Sequence, residues 1–228
     1  RAAHLRAEVE VRNSRFGSTY FPCKPPLNLD DEDADLFTKS TVPHQYALAH
    51  EADAPFVAEI TNARVASIQS LVFDQHNFYL DTYHNATLID TILPVRPPTV
   101  DKLDGGYVTA DLSDKPQIDC AGPALLLSSP HPGNYPHWLL ETLPRLWVLE
   151  EFEEYRGIPI ILPIFTQSFQ PETLSKFIPN GHSVIFSGPW ILNVERLIFP
   201  SYLAPGGHSR QQLDWLRSRF CTREGNPE

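Results

Sequence analysis

Apolar positions along this chain follow three different patterns in succession. Over residues 1–55 they show little periodicity, broken by Cys23-Lys-Pro-Pro26 and by the carboxylate run Asp30-Asp-Glu-Asp-Ala-Asp35. Such a segment predicts an irregular N-terminal arm, with the acidic run as a solvated loop or helix start rather than a metal site. From 56 to 92 the pattern becomes short β-branched and aromatic runs: Phe56-Val-Ala-Glu-Ile60, Arg64–Phe73, Phe78-Tyr-Leu80 and Thr87-Leu-Ile89. Polar turns such as Asp74-Gln-His-Asn77 separate them, which predicts a small antiparallel β-meander. The turn-rich stretch 93–122, with Pro94, Pro97, Pro98, Gly105, Gly106 and Pro116, reads as a connector, so 56–122 forms a second unit.

The third pattern begins at 123. Ala124-Leu-Leu-Leu127 and Ile158-Pro-Ile-Ile-Leu162 are continuous apolar runs, as expected of strands covered on both faces. Ser183-Val-Ile-Phe186 and Arg196-Leu-Ile-Phe199 predict two more strands. Helical segments fall between and after them, over about 135–154, Thr166–Phe177 and Ser209–Phe220. Strand and helix alternate, which predicts an α/β unit over 123–228 built on a parallel sheet.

Charge and composition narrow the function classes. The chain has 18 Lys+Arg against 28 Asp+Glu, a formal net charge of −10. An acidic surface of this kind repels phosphate backbones, so no nucleic-acid partner is expected. No apolar run reaches the roughly 20 residues of a membrane span. Cys23, Cys120 and Cys221 are far apart and odd in number, which fits free thiols better than a disulfide framework or a zinc ribbon. The chain begins with Arg and contains no Met, which fits a processed protein or a piece of a longer one. Asn85-Ala-Thr87 matches the N-glycosylation acceptor pattern.

Candidate chemistry concentrates after the first buried strand. Ser128-Ser-Pro-His-Pro-Gly-Asn134 lies where open α/β sheets bind ligands, at a strand's carboxyl end, and it opens a helix. Within that helix His137, Glu141 and Arg145 are spaced i, i+4, i+8 and share one stripe, while Trp138, Leu139, Thr142, Leu143 and Leu146 suit the core. Pro144 should kink the helix. Histidine titrates near neutrality, a buried Glu can act as a base, and Arg suits planar anions. The same three residues also fit a purely structural chain that locks helix to sheet. His131, His137 and Glu141 match no standard zinc spacing, so no metal is expected. His208, in Ala204-Pro-Gly-Gly-His-Ser209, follows the last strand at the same sheet edge and is a second candidate. Tyr135, Trp190 and Tyr202 are candidates for stacking on sugar rings.

The stretch Asn134-Tyr-Pro-His-Trp-Leu-Leu-Glu-Thr-Leu-Pro-Arg-Leu146 resembles the signature of glycosyltransferase family 61, in which an N-Y-x-H-W-L-L-E-x-L-P-R-L pattern recurs. The resemblance is strong over 134–146 and looser over 56–220. It implies a GT-B architecture, in which this chain supplies one Rossmann-like, mostly parallel half. It also implies inverting transfer from a nucleotide-sugar donor to a hydroxyl of a glycan or glycoprotein, with no cofactor and no metal. His137 or Glu141 would be the base, or the two would form a base–orienter pair. His131, Asn134, Tyr135 and His208 would line the acceptor pocket, and Arg145 would hold Glu141 or an anionic group. The family's second Rossmann-like half, which carries the donor site, would follow Glu228, so this chain is expected to be the acceptor-side half. The compartment expected is the secretory pathway for a eukaryotic protein and the cytoplasm for a bacterial one. Competing readings are a catalytically silent carbohydrate-binding half-domain, a hydrolase using His137 and Glu141 on water, and a homo-oligomeric scaffold wrapped by the 1–55 arm.

Overall fold

Alternation of side chains along a strand sends neighbouring residues to opposite faces of a sheet. Along Ile160–Pro163, over 124–126 and over 197–200 both sets are apolar and both faces are buried. A computed structural model of the chain describes residues 2–3, 9–13, 55–66, 71–79, 102–104, 107–109, 112, 114–127, 132–201 and 210–221. The strands are β1 (Ala2–Ala3), β2 (Val11–Asn13), β3 (Phe56–Ala66), β4 (Leu71–Phe73), β5 (Phe78–Tyr79), β6 (Lys102–Asp104) and β7 (Tyr107–Thr109). They continue with β8 (Gln117–Leu126), β9 (Ile160–Pro163), β10 (Val184–Ser187) and β11 (Ile191–Pro200). Helical elements among the described residues are α1 over 135–151, followed by a 3-10 turn at Glu153–Tyr155, α2 (Phe169–Leu174) and α3 (Arg210–Phe220).

Among the described residues one sheet runs in the order β1-β5-β4-β3-β11-β8-β9-β10, with β2 also paired to β3. The four strands expected after residue 123 are all present and mutually parallel: β11 pairs β8, β8 pairs β9 and β9 pairs β10. The expected meander β3–β4–β5 is antiparallel. It does not stand apart, because β3 pairs antiparallel with β11 from Ala66↔Ile191 to Val57↔Pro200. The whole is therefore an α/β fold on a mixed sheet, which corrects the expectation of a mostly parallel one. The physical reason is that β3 carries an apolar row, Phe56, Ala58, Ile60, Ala63 and Val65, that completes the second core cluster beside β11. The boundary expected at 122/123 falls inside β8, and the connector also contains the β6–β7 hairpin.

Leu125, Leu127, Ile160, Leu162, Ile198 and Val57 point to one face, where they meet Trp138, Leu143, Leu146, Trp147 and Val148 of α1, Leu174 of α2 and Leu216 of α3. The alternate residues Ala124, Leu126, Ile161, Leu197, Phe199, Phe56 and Ala58 form a second cluster with Ile60, Val65 and Leu192. Trp138 and Trp147 are both 0% exposed, and side chains of that size contribute on the order of 2–3 kcal/mol each by burial.

Two runs expected as separate strands, 56–60 and 64–73, differ from the observed course. β3 passes unbroken from Phe56 to Ala66 because Asn62 adopts φ 53°, a left-handed conformation that Asn tolerates. Opposite it in β11 lies Glu195, whose Oε2 accepts the Gly122 N–H at 2.8 Å from β8. Gly122 itself has φ 77°, and the β11–β8 register shifts between Val194 and Arg196. A bulge thus sits between β11 and β8, in the same row as the left-handed Asn62 of β3. The turn at Asp74–Asn77 forms as expected: Asp74 Oδ1 accepts from the amides of His76 (2.6 Å) and Asn77 (2.7 Å), and Oδ2 accepts the Tyr79 hydroxyl (2.6 Å). Partial burial works to raise the Asp74 pKa, but the Tyr79 hydroxyl and the two amides outweigh it and hold the carboxyl below its ordinary value.

The acidic run 30–35, the strand expected at 87–89, Cys23, Asn85, His131, Tyr202 and His208 lie outside the described residues. Cys120 and Cys221 are free thiols, and burial pushes the Cys120 thiol pKa up. Among the described residues no helix is long and apolar enough to cross a membrane.

Candidate active site

Strands β8 and β9 end side by side, and the segments that leave them carry the candidate chemistry. Pro132–Asn134 leads into α1. Asn134 is its first capping position, with extended backbone (φ −93°, ψ 120°) and its carbonyl accepting the Trp138 N–H at 2.9 Å. Its side chain makes no capping bond and is exposed. Tyr135 is 47% exposed and meets Phe169 of α2 edge-to-face, with centroids 5.0 Å apart at 83°.

Helix α1 is irregular for a reason written in its sequence. It opens with a single α turn, Tyr135–His137, passes into a π turn over Trp138–Thr142, then a 3-10 stretch over Leu143–Trp147 and a last α turn, Val148–Glu151. Pro144 cannot donate to the carbonyl four residues back, and its ring crowds that carbonyl. That carbonyl belongs to Leu140, and the side-chain amide of Gln212 in α3 donates to it instead. The Leu143 N–H reaches back to Trp138 O, which closes the wide turn, and Thr142 Oγ1 leans on His137 O at 3.4 Å. π turns of this kind occur often at functional sites.

At the start of the turn His137 Nδ1 donates to Glu141 Oε2 at 2.7 Å. The imidazole side chain is 36% exposed, whereas that of Glu141 is only 12% exposed. The hydrogen bond from the imidazole to Glu141, reinforced by the carboxylate's charge and opposed by burial, raises the His137 pKa above its ordinary value. With an ionised Glu141 fixing the proton on Nδ1, the neutral ring carries its lone pair on Nε2. The arrangement is a base held in one tautomer by a carboxylate.

For Arg145, expected to hold Glu141 or an anionic group, the structure gives a buried setting with main-chain partners. It is 0% exposed; Nε donates to Pro200 O at 2.7 Å, Nη2 donates to Leu126 O at 3.0 Å, and the guanidinium lies 4.8 Å from the Phe199 ring centroid. It ties α1 to the carboxyl ends of β8 and β11. Trp190 packs against the second core cluster and donates from its indole to Phe186 O at 3.1 Å.

The structure therefore brings His137 and Glu141 into contact, leaves Asn134 and Tyr135 exposed on the same segment, and buries Arg145 against the ends of β8 and β11. Sequence reasoning missed the residues of α2 that hold this segment. Thr173 Oγ1 accepts the Trp138 indole N–H at 2.8 Å, Phe169 carries Tyr135, and Gln170 Nε2 donates to Pro132 O at 2.9 Å. The available signal was a polar pair on the buried stripe of a helix: Gln170 and Thr173 are spaced i, i+3 beside Leu174. Gln212, one turn before Leu216, carries the same signal in α3.

An open recess of about 210 Å³ lies between α2 and β10, lined by Phe165, Leu174, Ile178, His182, Val184 and Phe186, and none of the candidate residues lines it. Among the described residues no three His, Cys, Asp or Glu side chains are placed to hold a metal ion. A scan of protein-family models gives no match to this chain, and neither the curated proteins nor the solved structures provide one.

Proposed function

We propose that this chain is the acceptor-side half of an inverting glycosyltransferase, with His137 as the base and Glu141 as its orienter. The observation that carries the reading is the His137–Glu141 pair, a half-exposed imidazole on a nearly buried carboxylate at the carboxyl end of β8. The similarity of 134–146 to glycosyltransferase family 61 supports the same assignment. On this reading the parallel strands β11-β8-β9-β10 with α1 and α2 are a Rossmann-like half of a GT-B architecture. The nucleotide sugar is bound by the other half.

In the transfer step an acceptor hydroxyl gives its proton to His137 Nε2 while its oxygen attacks the anomeric carbon of the donor. The glycosidic C–O bond forms as the anomeric C–O bond to the diphosphate breaks, and the bonding electrons leave with the diphosphate. Glu141 stabilises the imidazolium that results. Tyr135 offers an aromatic surface to a sugar ring, and the Asn134 amide offers hydrogen bonds to its hydroxyls. The acceptor is a glycan or glycoprotein, and the reaction needs no metal.

The test is an assay of the full-length protein with a panel of uridine- and guanosine-diphosphate sugars and glycan acceptors, with the anomeric configuration read by NMR. Transfer with inversion is expected, and His137→Ala should reduce it by about 100-fold or more while the protein still unfolds cooperatively, losing no more than the stability of the His137–Glu141 pair. Absence of transfer from every donor, or a His137→Ala rate within about twofold of the parent, would falsify the assignment.

A further inference from the structure

We infer that Gln170 is a positioning residue for the substrate-facing segment 132–138, which rests on the transferase reading above only in what the segment is used for. Gln170 is 0% exposed, and each end of its amide is engaged. Oε1 accepts from the amides of Thr166 and Gln167, each at 2.9 Å, in the segment that follows β9. Nε2 donates to Pro132 O at 2.9 Å, in the segment that follows β8. One side chain thus fastens together the two loops that leave adjacent parallel strands at their carboxyl ends.

Two neighbours make the fastening a matter of geometry rather than of a single bond. A Cβ placed on Gly133 would stand 3.0 Å from Thr166 Oγ1, so the loops are close enough here that an added methyl requires Thr166 to give by a few tenths of an ångström. Phe169 and Thr173, on either side of Gln170 in α2, hold Tyr135 and Trp138. His137 lies between those two residues in sequence. Its backbone is held from the α2 side, while Glu141 holds its ring. Gln170 closes this cradle at its upstream end, so the direction in which His137 presents Nε2 depends on the Pro132 bond. For a sugar acceptor, the spacing between the Tyr135 ring and the His137 imidazole would be set by the same bond.

Gln170→Glu isolates the effect. A carboxylate at this place still accepts from Thr166 and Gln167 but cannot donate to Pro132 O, and it opposes that carbonyl. Gly133→Ala is the second variant: it leaves Gln170 intact and presses a methyl on Thr166 Oγ1 from an exposed position, displacing the 132–134 segment from the loop after β9, so it keeps the test open if a buried carboxylate prevents folding. The Trp138 amide, bonded to Asn134 O, and the Ile160 amide, bonded to Ser183 O in the β9–β10 pair, serve as probe and control for hydrogen exchange. In both variants Trp138 exchange should rise about tenfold, the weight of one net hydrogen bond, with Ile160 unchanged. The His137 titration followed by NMR should move down toward the ordinary histidine range, and in the transfer assay KM for the acceptor should rise more than kcat falls. An unchanged Trp138 amide, equal acceleration at Ile160, or an unmoved His137 titration overturns the assignment. Absence of transfer in the parent protein, with the exchange and titration changes present, overturns the transferase reading instead and leaves the positioning role standing.

Discussion

Pro144 in α1 and Gln212 in α3 should be energetically coupled through a carbonyl that belongs to neither. The perturbation is Gln212→Met, made in the parent and in Pro144→Ala. Methionine keeps the length and apolar stem of the side chain, which is 1% exposed, and removes its donor to Leu140 O. A buried acceptor stripped of its donor costs about 1–3 kcal/mol; this one is only part-buried, which favours about 1–2 kcal/mol. In the Pro144→Ala background the restored N–H lies four residues from Leu140 and takes the carbonyl, so the same substitution should cost under about 0.5 kcal/mol. The coupling expected is about 1 kcal/mol, measured by urea unfolding of the four proteins at neutral pH. If the two substitutions add within about 0.3 kcal/mol, Gln212 does not compensate for the proline, and the wide turn must have another cause.

Arg145→Met removes a charged donor from the Pro200 and Leu126 carbonyls and should cost about 2–4 kcal/mol in urea unfolding; a loss under about 1 kcal/mol would show that the strand ends do not depend on it. Glu141→Gln removes the carboxylate that raises the His137 pKa, so the NMR titration should fall toward the ordinary value of about 6.5. Because the folded-state pKa is raised, the stability this pair contributes is fully present below that unfolded value and is lost as pH rises through the folded one. The parent should therefore lose stability across that window and Glu141→Gln should not. In a transfer assay the alkaline-rising limb should shift to lower pH in the variant, because the base acts in its neutral form.

Much of the fold could be read from runs of apolar residues. Ala124–Leu127, Ile158–Leu162, Ser183–Phe186 and Arg196–Phe199 each contain strand; the first two are blocks of Leu and Ile because those strands are covered on both faces, and the edge strand at 183–186 shows its β-branched and aromatic residues instead. The union of the meander with the parallel strands was hidden. Thr61 and Asn62 are polar and exposed and look like a turn, and only a left-handed Asn62 facing the bulge at Glu195 lets β3 run on. β8 begins at Gln117, well upstream of its apolar block, because its first residues Gln117–Asp119 are exposed and polar. Within the site, the i, i+4 spacing of His137 and Glu141 carried enough information to place them in contact. The extension of that stripe to Arg145 did not survive the π turn, which rotates everything after Thr142 and turns the guanidinium inward. Gln170 and Gln212 act through hydrogen bonds to main-chain atoms distant in sequence, and residue type alone does not signal such partners.

That wide turn also bears on how sequences of this kind should be lined up. A π turn is an α-helix that has absorbed one extra residue. The Leu143 amide reaches the carbonyl of Trp138, five residues back, where a regular helix would reach back four. A homologue without the insertion would match this chain only if a single-residue gap is opened between 138 and 143. Aligned without the gap, its histidine and its arginine cannot both fall on His137 and Arg145. Gln212 answers to Pro144 rather than to the extra residue, so those two positions should be gained and lost together.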